Sequence, residues 1–247
     1  MTREKDHMSK DTDIKLHYIE KGTGSPLILL HGNGEDSGYF VHQIDYFSKD
    51  HCVIALDTRG HGKSPRGEKP FTIRQFAEDL HDFMDEQEIA KADLLGFSDG
   101  GNIALVFALK YPERVDRLIL NGANLYSAGV KPSVQIPIIL GYHAASLLAG
   151  KSEKARKNAE MLGLMVNDPD LDPEEISENS DPDFLRIPKL VIAGNRDMIK
   201  DEHTRLIYAS LPNAQIRVMK GSHFIAKEDP EGFNRIVEGF LKQERQR

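Results

Sequence analysis

Short apolar runs alternate with longer segments of helical periodicity along most of the chain. Seven runs are rich in leucine or β-branched residues, and several, such as PLILL and CVIAL, are almost continuously apolar. This pattern is typical of strands buried on both faces, as in a parallel sheet that helices cover on each side. The predicted strands occupy residues 14–19, 26–30, 52–56, 92–97, 115–120, 190–193 and 215–219.

The segments between the predicted strands have the three-to-four spacing of amphipathic helices. In the segment 72–88 one stripe of apolar side chains is formed by Ile73, Phe76, Leu80, Phe83 and Met84. Thr72 precedes the stripe and is suited to cap the helix. Further helices are predicted at 39–48, 101–110, 201–210 and 230–243. The alternation of strands and helices predicts an α/β protein with a mostly parallel, open sheet that is flanked by helices.

One stretch of the chain interrupts this alternation. Between residues 125 and 186 no strand-like run occurs, and a basic cluster, KSEKARK, is followed by the acidic run NDPDLDPEEISENSDPD. We interpret 125–186 as a helical cap inserted into an α/β core of residues 12–124 and 187–247. A disordered acidic linker is the alternative for part of 167–183, but not for the apolar segment 134–149. The charged residues 1–11 are expected to be a flexible N-terminus.

Length, charge and cysteine content narrow the class of protein. A chain of 247 residues suits one domain that carries an insertion. The net charge of −7 argues against a nucleic-acid partner. Cys52 is the single cysteine, which excludes an intrachain disulfide and fits a reducing compartment.

The sequence has no apolar segment that would direct the chain into or across a membrane. The first residues are charged, unlike a signal peptide. The longest largely apolar stretch, 136–149, is shorter than the roughly 20 residues that span a bilayer. We therefore expect a cytoplasmic protein without a membrane partner, which acts as a monomer or a homodimer.

The strongest chemical signal is the sequence GFSDG at residues 96–100. A predicted strand runs into it and a predicted helix follows it, which is the context of a nucleophile elbow. Gly96 and Gly100 are the small residues that such a sharp turn requires around Ser98. The hydroxyl of Ser98 would then lie at the carboxyl edge of the sheet, close to the N-terminus of a helix. A glycine-rich turn with an incidental serine is the alternative interpretation.

A nucleophilic serine needs a base, and the base needs an acid that fixes its tautomer. His223 follows the last predicted strand on a Gly-Ser loop, and Asp197 ends the run LVIAGNRD after the preceding strand. The chain order Ser98, Asp197, His223 is the order of triads built around this type of elbow. Asp201, about one helical turn further on, is the alternative acid and is also suited to cap a helix.

The sequence HGNG at residues 31–34 follows the second predicted strand. A tetrahedral oxyanion needs two N–H donors, and we assign them to the backbones of Asn33 and Asp99. An ordinary strand–helix turn is the alternative for HGNG. Several residues adjoin these motifs and are predicted to line a substrate pocket, with core packing as the alternative for each: Gly34, Phe97, Asp99, Asn124, Leu125, Tyr126, Met198 and Phe224.

The motifs HGNG, DTRGHGKS at 57–64, GFSDGG, GNRD and GSH together resemble those of the α/β-hydrolase superfamily, over about residues 12–245. The resemblance implies that fold, and a structural role for DTRGHGKS. That segment also imitates a phosphate-binding loop, but the first glycine of such a loop would fall at Asp57, so nucleotide binding is rejected.

The sequence SDGG is similar to the biphenyl-hydrolase-like group of this superfamily, which comprises serine esterases of the valacyclovir-hydrolase type. In that group the matching aspartate is associated with the amino group of amino-acid esters. The resemblance therefore implies that Asp99 binds a cationic group of the substrate. Capping of the following helix is the alternative role for Asp99.

These residues predict a serine hydrolase, a carboxylesterase of small amino-acid or aryl esters, that needs no cofactor. The sequence has no H-E-x-x-H motif and no Cys/His cluster, so no metal site is predicted. The same fold also admits a C–C bond hydrolase with the same triad, or a cofactor-free perhydrolase or haloperoxidase. A non-catalytic module that binds a small ligand is a further alternative, although such a module has no need of all three triad residues.

Overall fold

A computed structural model of the protein describes residues 3–8 and 13–243. Eight strands of this part form one sheet in the order β1-β2-β4-β3-β5-β6-β7-β8. Strands β1 and β2 are antiparallel to their neighbours, and the other pairings are parallel. The strands are β1 (Arg3–Met8), β2 (Lys15–Lys21), β3 (Ser25–Leu30), β4 (His51–Leu56), β5 (Ala92–Phe97), β6 (Val115–Asn121), β7 (Lys189–Gly194) and β8 (Ala214–Met219).

Helices pack on both faces of the sheet, so the predicted α/β class with a mostly parallel sheet is confirmed. The helices of the core are α1 (Val41–Phe47), α2 (Ile73–Glu86), α3 (Asp99–Lys110), α8 (Asp201–Ser210), α9 (Ile225–Glu228) and α10 (Pro230–Leu241). As predicted, Thr72 caps α2, because its hydroxyl accepts a hydrogen bond from the Gln75 amide at 3.2 Å.

The apolar side chains of the central strands separate into two clusters, one on each face of the sheet. In β3, for example, Ile28 packs into one cluster with α2 and α3, whereas Leu27 packs into the other with α1 and α10. Every residue of β5 is buried. The sheet is therefore covered on both faces at its centre, which explains the continuously apolar runs in the sequence.

Residues 125–186 contain four α-helices: α4 (Pro132–Leu148), α5 (Glu153–Asn167), α6 (Pro173–Ser177) and α7 (Pro182–Arg186). The acidic run forms the two short helices, since Asp172 caps α6 and Asp181 caps α7 through their carboxylates. Helical structure thus replaces the disordered linker that was the alternative for part of 167–183. Among the described helices, none is long and apolar enough to cross a membrane.

The N-terminus differs from the expected flexible segment over residues 1–11. Residues 3–8 form β1, which pairs with β2 from Arg3 opposite Glu20 to Met8 opposite Lys15. Edge pairing uses backbone groups and does not require alternating apolar side chains, so the charged sequence REKDHM gave no strand signal. The remainder of 1–11, namely residues 1, 2 and 9–11, lies outside the described residues.

Candidate active site

Ser98 lies in a tight turn between β5 and α3. Its backbone has φ +53° and ψ −120°, a strained conformation for a residue with a side chain. A Cβ atom at Gly96 would collide with the carbonyl of Gly100, and a Cβ at Gly100 would collide with the carbonyl of Leu30. The turn therefore requires glycine on both sides of Ser98, as a nucleophile elbow does.

The ends of the two neighbouring strands flank the elbow. Leu30 of β3 pairs with Gly96, and Asn121 of β6 pairs with Phe97. The backbone N–H of Ser98 donates to the carbonyl of Asn121 at 2.8 Å. The segment HGNG after β3 therefore lies beside Ser98 at the carboxyl edge of the sheet.

Asn33 and Asp99, the two predicted oxyanion-hole residues, are in direct contact. Nδ2 of Asn33 donates a hydrogen bond to Oδ2 of Asp99 at 2.9 Å. Asp99 is the first residue of α3, so its backbone N–H has no acceptor within the helix. Asn33 lies in a turn that the Glu35 amide closes onto the Gly32 carbonyl at 3.2 Å.

Asp197 and His223 form a buried hydrogen-bonded pair. Asp197 follows β7 and His223 follows the adjacent parallel strand β8, and Oδ1 of Asp197 accepts from Nδ1 of the imidazole at 2.7 Å. The same Oδ1 accepts from the backbone N–H of Ile199 at 2.9 Å. With Nδ1 protonated, Nε2 of His223 is the basic nitrogen, and it has no hydrogen-bond partner among the described residues, the Ser98 hydroxyl included.

The imidazole of His223 is enclosed by packing. Its ring centroid lies 4.8 Å from that of Phe97 and 5.6 Å from that of Phe224. Gly122, with φ +65°, lies behind the ring, and a Cβ atom there would come within 2.7 Å of Cε1. By contrast Asp201, the alternative acid, pairs with Arg205 at 2.8 Å on the exposed side of α8.

Two aspartate carboxyl groups near the elbow have a raised pKa. Burial raises the pKa of Asp99, against the opposing effects of the Asn33 hydrogen bond and of the charge of His223, and Asp99 has no lysine or arginine partner among the described residues. Burial, followed by the charge of Asp99, raises the pKa of Asp168 to about 6, although Arg74 acts against this rise. The fold thus brings a carboxyl of the inserted segment close to one of the core.

Three of the residues predicted to line a pocket surround the elbow. Phe97 is buried and stacks on Tyr39 with ring centroids 4.2 Å apart. Phe224 is 43% exposed and lies 5.7 Å from Phe97, so it presents an aromatic surface to solvent next to His223. Gly34 is exposed in the HGNG turn, with φ +71° and open space around it.

Two of the other predicted pocket residues, Asn124 and Leu125, are buried. The backbone N–H of Asn124 donates a hydrogen bond to Oδ1 of Asn102 at 2.9 Å. Leu125 is fully buried in the core, and its N–H donates to Nε2 of His203 at 3.0 Å. These contacts favour a packing role for both, the alternative named above.

Tyr126 and Met198 are half-buried on either side of this region. The ring of Tyr126 packs edge-on against that of His203, with centroids 4.6 Å apart. The carbonyl of Met198 accepts from the backbone N–H of Lys131 at 2.8 Å. Both residues therefore lie at the junction between the core and the inserted segment.

Several contacts that support the elbow have no signal in the sequence. Nδ2 of Asn33 also donates to the carbonyl of Met161 in α5 at 2.8 Å. Arg66 pairs with Glu160, the preceding residue of α5, at 2.9 Å. The ammonium of Lys131 donates to the carbonyl of Asp197. The inserted segment is thus tied to the core at the HGNG turn and at Asp197, through contacts between distant parts of the chain.

The segment 57–64 has the structural role that its resemblance implies. Asp57 accepts from the His17 imidazole at 2.8 Å and from the backbone N–H of Ser37 at 2.7 Å. Arg59 is fully buried and forms a bidentate pair with Asp79 at 2.7 Å. Within the described part of the chain, no group of three His, Cys, Asp or Glu side chains could hold a metal ion.

Comparisons with known proteins agree with this fold. A family model described as the alpha/beta hydrolase fold matches residues 25–142. A 2-hydroxy-6-oxononadienedioate/2-hydroxy-6-oxononatrienedioate hydrolase of Paraburkholderia phymatum is 30% identical, over 94% of this chain and 92% of the relative. The mouse serine hydrolase BPHL is 28% identical over 93% of this chain and 84% of the relative.

Solved structures share the architecture over almost the whole chain. An enol-lactonase from Burkholderia xenovorans superposes with a TM-score of 0.78 at 22% identity, over 97% of this chain and all of that chain. A meta-cleavage product hydrolase from Pseudomonas fluorescens gives a TM-score of 0.74 at 25% identity, over 96% of this chain and 97% of that chain. From its motifs, its sheet and these relatives, the chain belongs to the α/β-hydrolase family.

Proposed function

We propose that this hydrolase is a serine carboxylesterase that cleaves small esters through Ser98, His223 and Asp197. The observation that carries the proposal is the buried Asp197–His223 hydrogen bond of 2.7 Å, which leaves Nε2 of the imidazole without a partner. A histidine held in this tautomer can act as a general base. The strained backbone of Ser98 and its place at the sheet edge support the role of nucleophile.

The reaction would proceed through an acyl-enzyme. His223 takes the proton of the Ser98 hydroxyl while the serine oxygen attacks the acyl carbon, and the C–O bond to the alcohol breaks as His223 returns the proton to the leaving oxygen. His223 then deprotonates a water molecule, whose oxygen attacks the acyl carbon. The bond from that carbon to the Ser98 oxygen breaks, and His223 returns the proton to Ser98 as the acid leaves. The backbone N–H groups of Asn33 and Asp99 would stabilise the tetrahedral oxyanion, a contribution of roughly 10²–10³-fold per donor in hydrolases of this kind.

A cationic substrate would suit the surroundings of Asp99. Its buried carboxyl has a raised pKa and no lysine or arginine partner among the described residues, so a substrate ammonium group would supply a counter-charge. This supports amino-acid esters as substrates. An Asp99→Asn variant that lost activity equally towards amino-acid and neutral esters would instead favour a structural role for Asp99.

A C–C bond hydrolase is the second candidate, because the relative from Paraburkholderia phymatum that is 30% identical carries the name of such an enzyme. The deciding experiment assays purified protein on a panel of p-nitrophenyl and amino-acid esters and on a vinylogous diketone. We expect ester turnover that exceeds diketone cleavage. The reverse order would assign the C–C hydrolase.

The nucleophile is tested with Ser98→Ala and a fluorophosphonate probe. We expect wild-type protein to react covalently with the probe, and Ser98→Ala to lose both labelling and ester hydrolysis. Cys52, which is half-buried on β4, offers a matched control because Cys52→Ala removes a different nucleophilic atom. Labelling that survived in Ser98→Ala would refute the proposed mechanism.

A further inference from the structure

The outward face of α4 is apolar although it lies at the surface. Ile136, Leu140 and Leu147 recur at helical spacing and are 56%, 65% and 82% exposed. Pro137, Ala144 and Leu148 on this side are also exposed, and exposed polar residues such as Ser133 and His143 lie among the apolar ones. The six apolar residues form the α4 apolar face. A contiguous exposed patch of this kind marks an interaction site in soluble proteins.

The other side of α4 already has its packing partner. The side-chain amide of Gln135 donates to the carbonyl of Met165 in α5 at 3.1 Å. Gly141 lies against Leu162 of α5, since a Cβ atom on that glycine would be 3.2 Å from Cδ1 of the leucine. A surface helix normally turns its apolar stripe toward the core. The α4 apolar face is therefore not explained by packing within the protein.

Exposed cations lie at the end of this face. Lys151, Lys154, Arg156 and Lys157 form the basic cluster, and none of them makes an ion pair with any residue that the structure describes. The backbone N–H of Lys151 donates to the carbonyl of Leu148 at 2.9 Å, so the cluster begins directly after the α4 apolar face. The whole chain carries a net charge of −7, which makes this local positive charge distinctive.

We propose that the α4 apolar face and the basic cluster together dock on an anionic lipid surface. Leucine and isoleucine side chains of an interfacial helix enter the boundary between headgroups and acyl chains, while lysine and arginine meet the lipid phosphates. Helix α4 has 17 residues and lies in the plane of the interface, without crossing it. The expectation of no membrane partner rested on the lack of export and membrane-spanning segments in the sequence. Docking on a lipid surface requires neither kind of segment.

Charge complementarity favours lipid over a second copy of this chain. An anionic bilayer covers the apolar face and neutralises the basic cluster at the same time. Self-association through α4 would cover the leucines and leave the four cations without counter-charges. Lipid docking depends only on the exposure of the α4 apolar face and the charge of the basic cluster. It is therefore independent of the proposed esterase activity.

The test measures co-sedimentation of the full chain with vesicles of phosphatidylcholine, with or without phosphatidylserine. We expect binding to be about tenfold or more tighter when phosphatidylserine is present, and to weaken as salt is added. A Leu140→Glu/Leu147→Glu variant should lose binding to both kinds of vesicle. A Lys151→Glu/Lys154→Glu/Lys157→Glu variant should lose only the preference for phosphatidylserine.

Two controls separate docking from general effects of mutation. Val218 of β8 is also an exposed apolar residue, so Val218→Glu adds a charge outside the proposed surface and should bind as the wild type does. Ser98→Ala should also bind vesicles normally. Unchanged circular dichroism and melting temperature establish that the surface variants are folded.

Absence of vesicle binding by the wild type overturns the proposal. So does binding that the leucine variant retains, or a preference for phosphatidylserine that the lysine variant retains. A concentration-dependent dimer in light scattering, dissociated by Leu140→Glu/Leu147→Glu in protein that ignores vesicles, would assign the α4 apolar face to a second copy instead.

Discussion

The side-chain amide of Asn33 donates to the carboxylate of Asp99 at 2.9 Å, beside the backbone groups assigned to the oxyanion hole. The same nitrogen donates its second hydrogen to the carbonyl of Met161 at 2.8 Å. One side chain therefore connects the oxyanion loop, the start of α3 and helix α5. The position of the inserted segment and the geometry of the candidate site depend on the same hydrogen bonds.

We expect Asn33→Ala to lower both activity and stability. The change leaves the buried carboxyl of Asp99 without its donor, at a cost of about 1–3 kcal/mol in the free energy of unfolding. Displacement of the oxyanion loop should lower kcat/KM by roughly 10- to 100-fold. Steady-state kinetics on a p-nitrophenyl ester and a thermal melt measure the two effects.

Glu160→Ala is the matched control for this prediction. It removes the Arg66–Glu160 contact, which also ties α5 to the core, but leaves the Asn33–Asp99 hydrogen bond intact. We expect Glu160→Ala to change KM more than kcat. Equal kinetics in the two variants would mean that Asn33 acts only by holding the inserted segment.

Asp197→Asn should reduce kcat by about 10⁴-fold, because an amide at this position favours the wrong tautomer of the base. Asp201→Asn should leave kcat unchanged, since Asp201 pairs with Arg205 on the surface of α8. Initial rates at saturating ester measure both. A larger loss from Asp201→Asn than from Asp197→Asn would exchange the roles assigned to the two carboxylates.

The sheet and the order of the candidate site residues could be predicted from the sequence because they follow from local patterns. The strand predicted at 92–97 coincides with β5 and the helix at 201–210 coincides with α8. Strand β5 is uniformly buried, and α8 has clear amphipathic spacing. The elbow glycines also carry a local signal, because only glycine fits the close approach of the backbone at Gly96 and Gly100.

The contacts that join the inserted segment to the core could not be predicted in this way. The Asn33–Met161 hydrogen bond joins residues 128 positions apart, and its acceptor is a backbone carbonyl that any residue would provide. The hydrogen bonds of Asn124 and Leu125 join them to Asn102 and His203, which no spacing in the sequence relates to them. Strand β1 was missed because an edge strand can pair without an apolar pattern.

We expect Asp168→Asn to stabilise the protein at neutral pH and to have no effect near pH 4. The folded-state pKa of Asp168, about 6, lies above its ordinary value of 3.8, so the folded state binds the proton more tightly than the unfolded chain does. Stability therefore falls as the pH rises from about 4 to about 6, and the cost persists above pH 6. After allowance for solvent screening of this half-buried group, the gain is on the order of 1 kcal/mol.

Chemical denaturation of wild type and Asp168→Asn between pH 4 and pH 8 measures this difference. Asp50→Asn is the matched control, because Asp50 is an exposed aspartate whose charge does not act on Asp168. The difference between wild type and Asp168→Asn should open between pH 4 and pH 6 and then stay constant. A difference that is independent of pH would show that the raised pKa does not affect folding.

Lys189 should affect stability at alkaline pH, because its ammonium is fully buried at the start of β7. Its Nζ donates to the carbonyls of Phe184 at 2.6 Å and Ile187 at 2.9 Å, and burial lowers its pKa from 10.5 to about 8. Below pH 8 the folded state carries the full cost of the buried charge. Between about pH 8 and 10.5 only the unfolded chain is protonated, so stability rises with pH.

We therefore expect the wild type to gain stability relative to Lys189→Met between pH 8 and 10.5, by on the order of 3 kcal/mol. Lys220→Met, at an exposed lysine, should follow the wild type over the same range because that side chain is not buried on folding. Urea denaturation of the three proteins at several pH values measures the difference. A stability difference between wild type and Lys189→Met that stays constant with pH would mean that this ammonium keeps its proton over that range. The two carbonyl hydrogen bonds would then retain the proton in spite of burial.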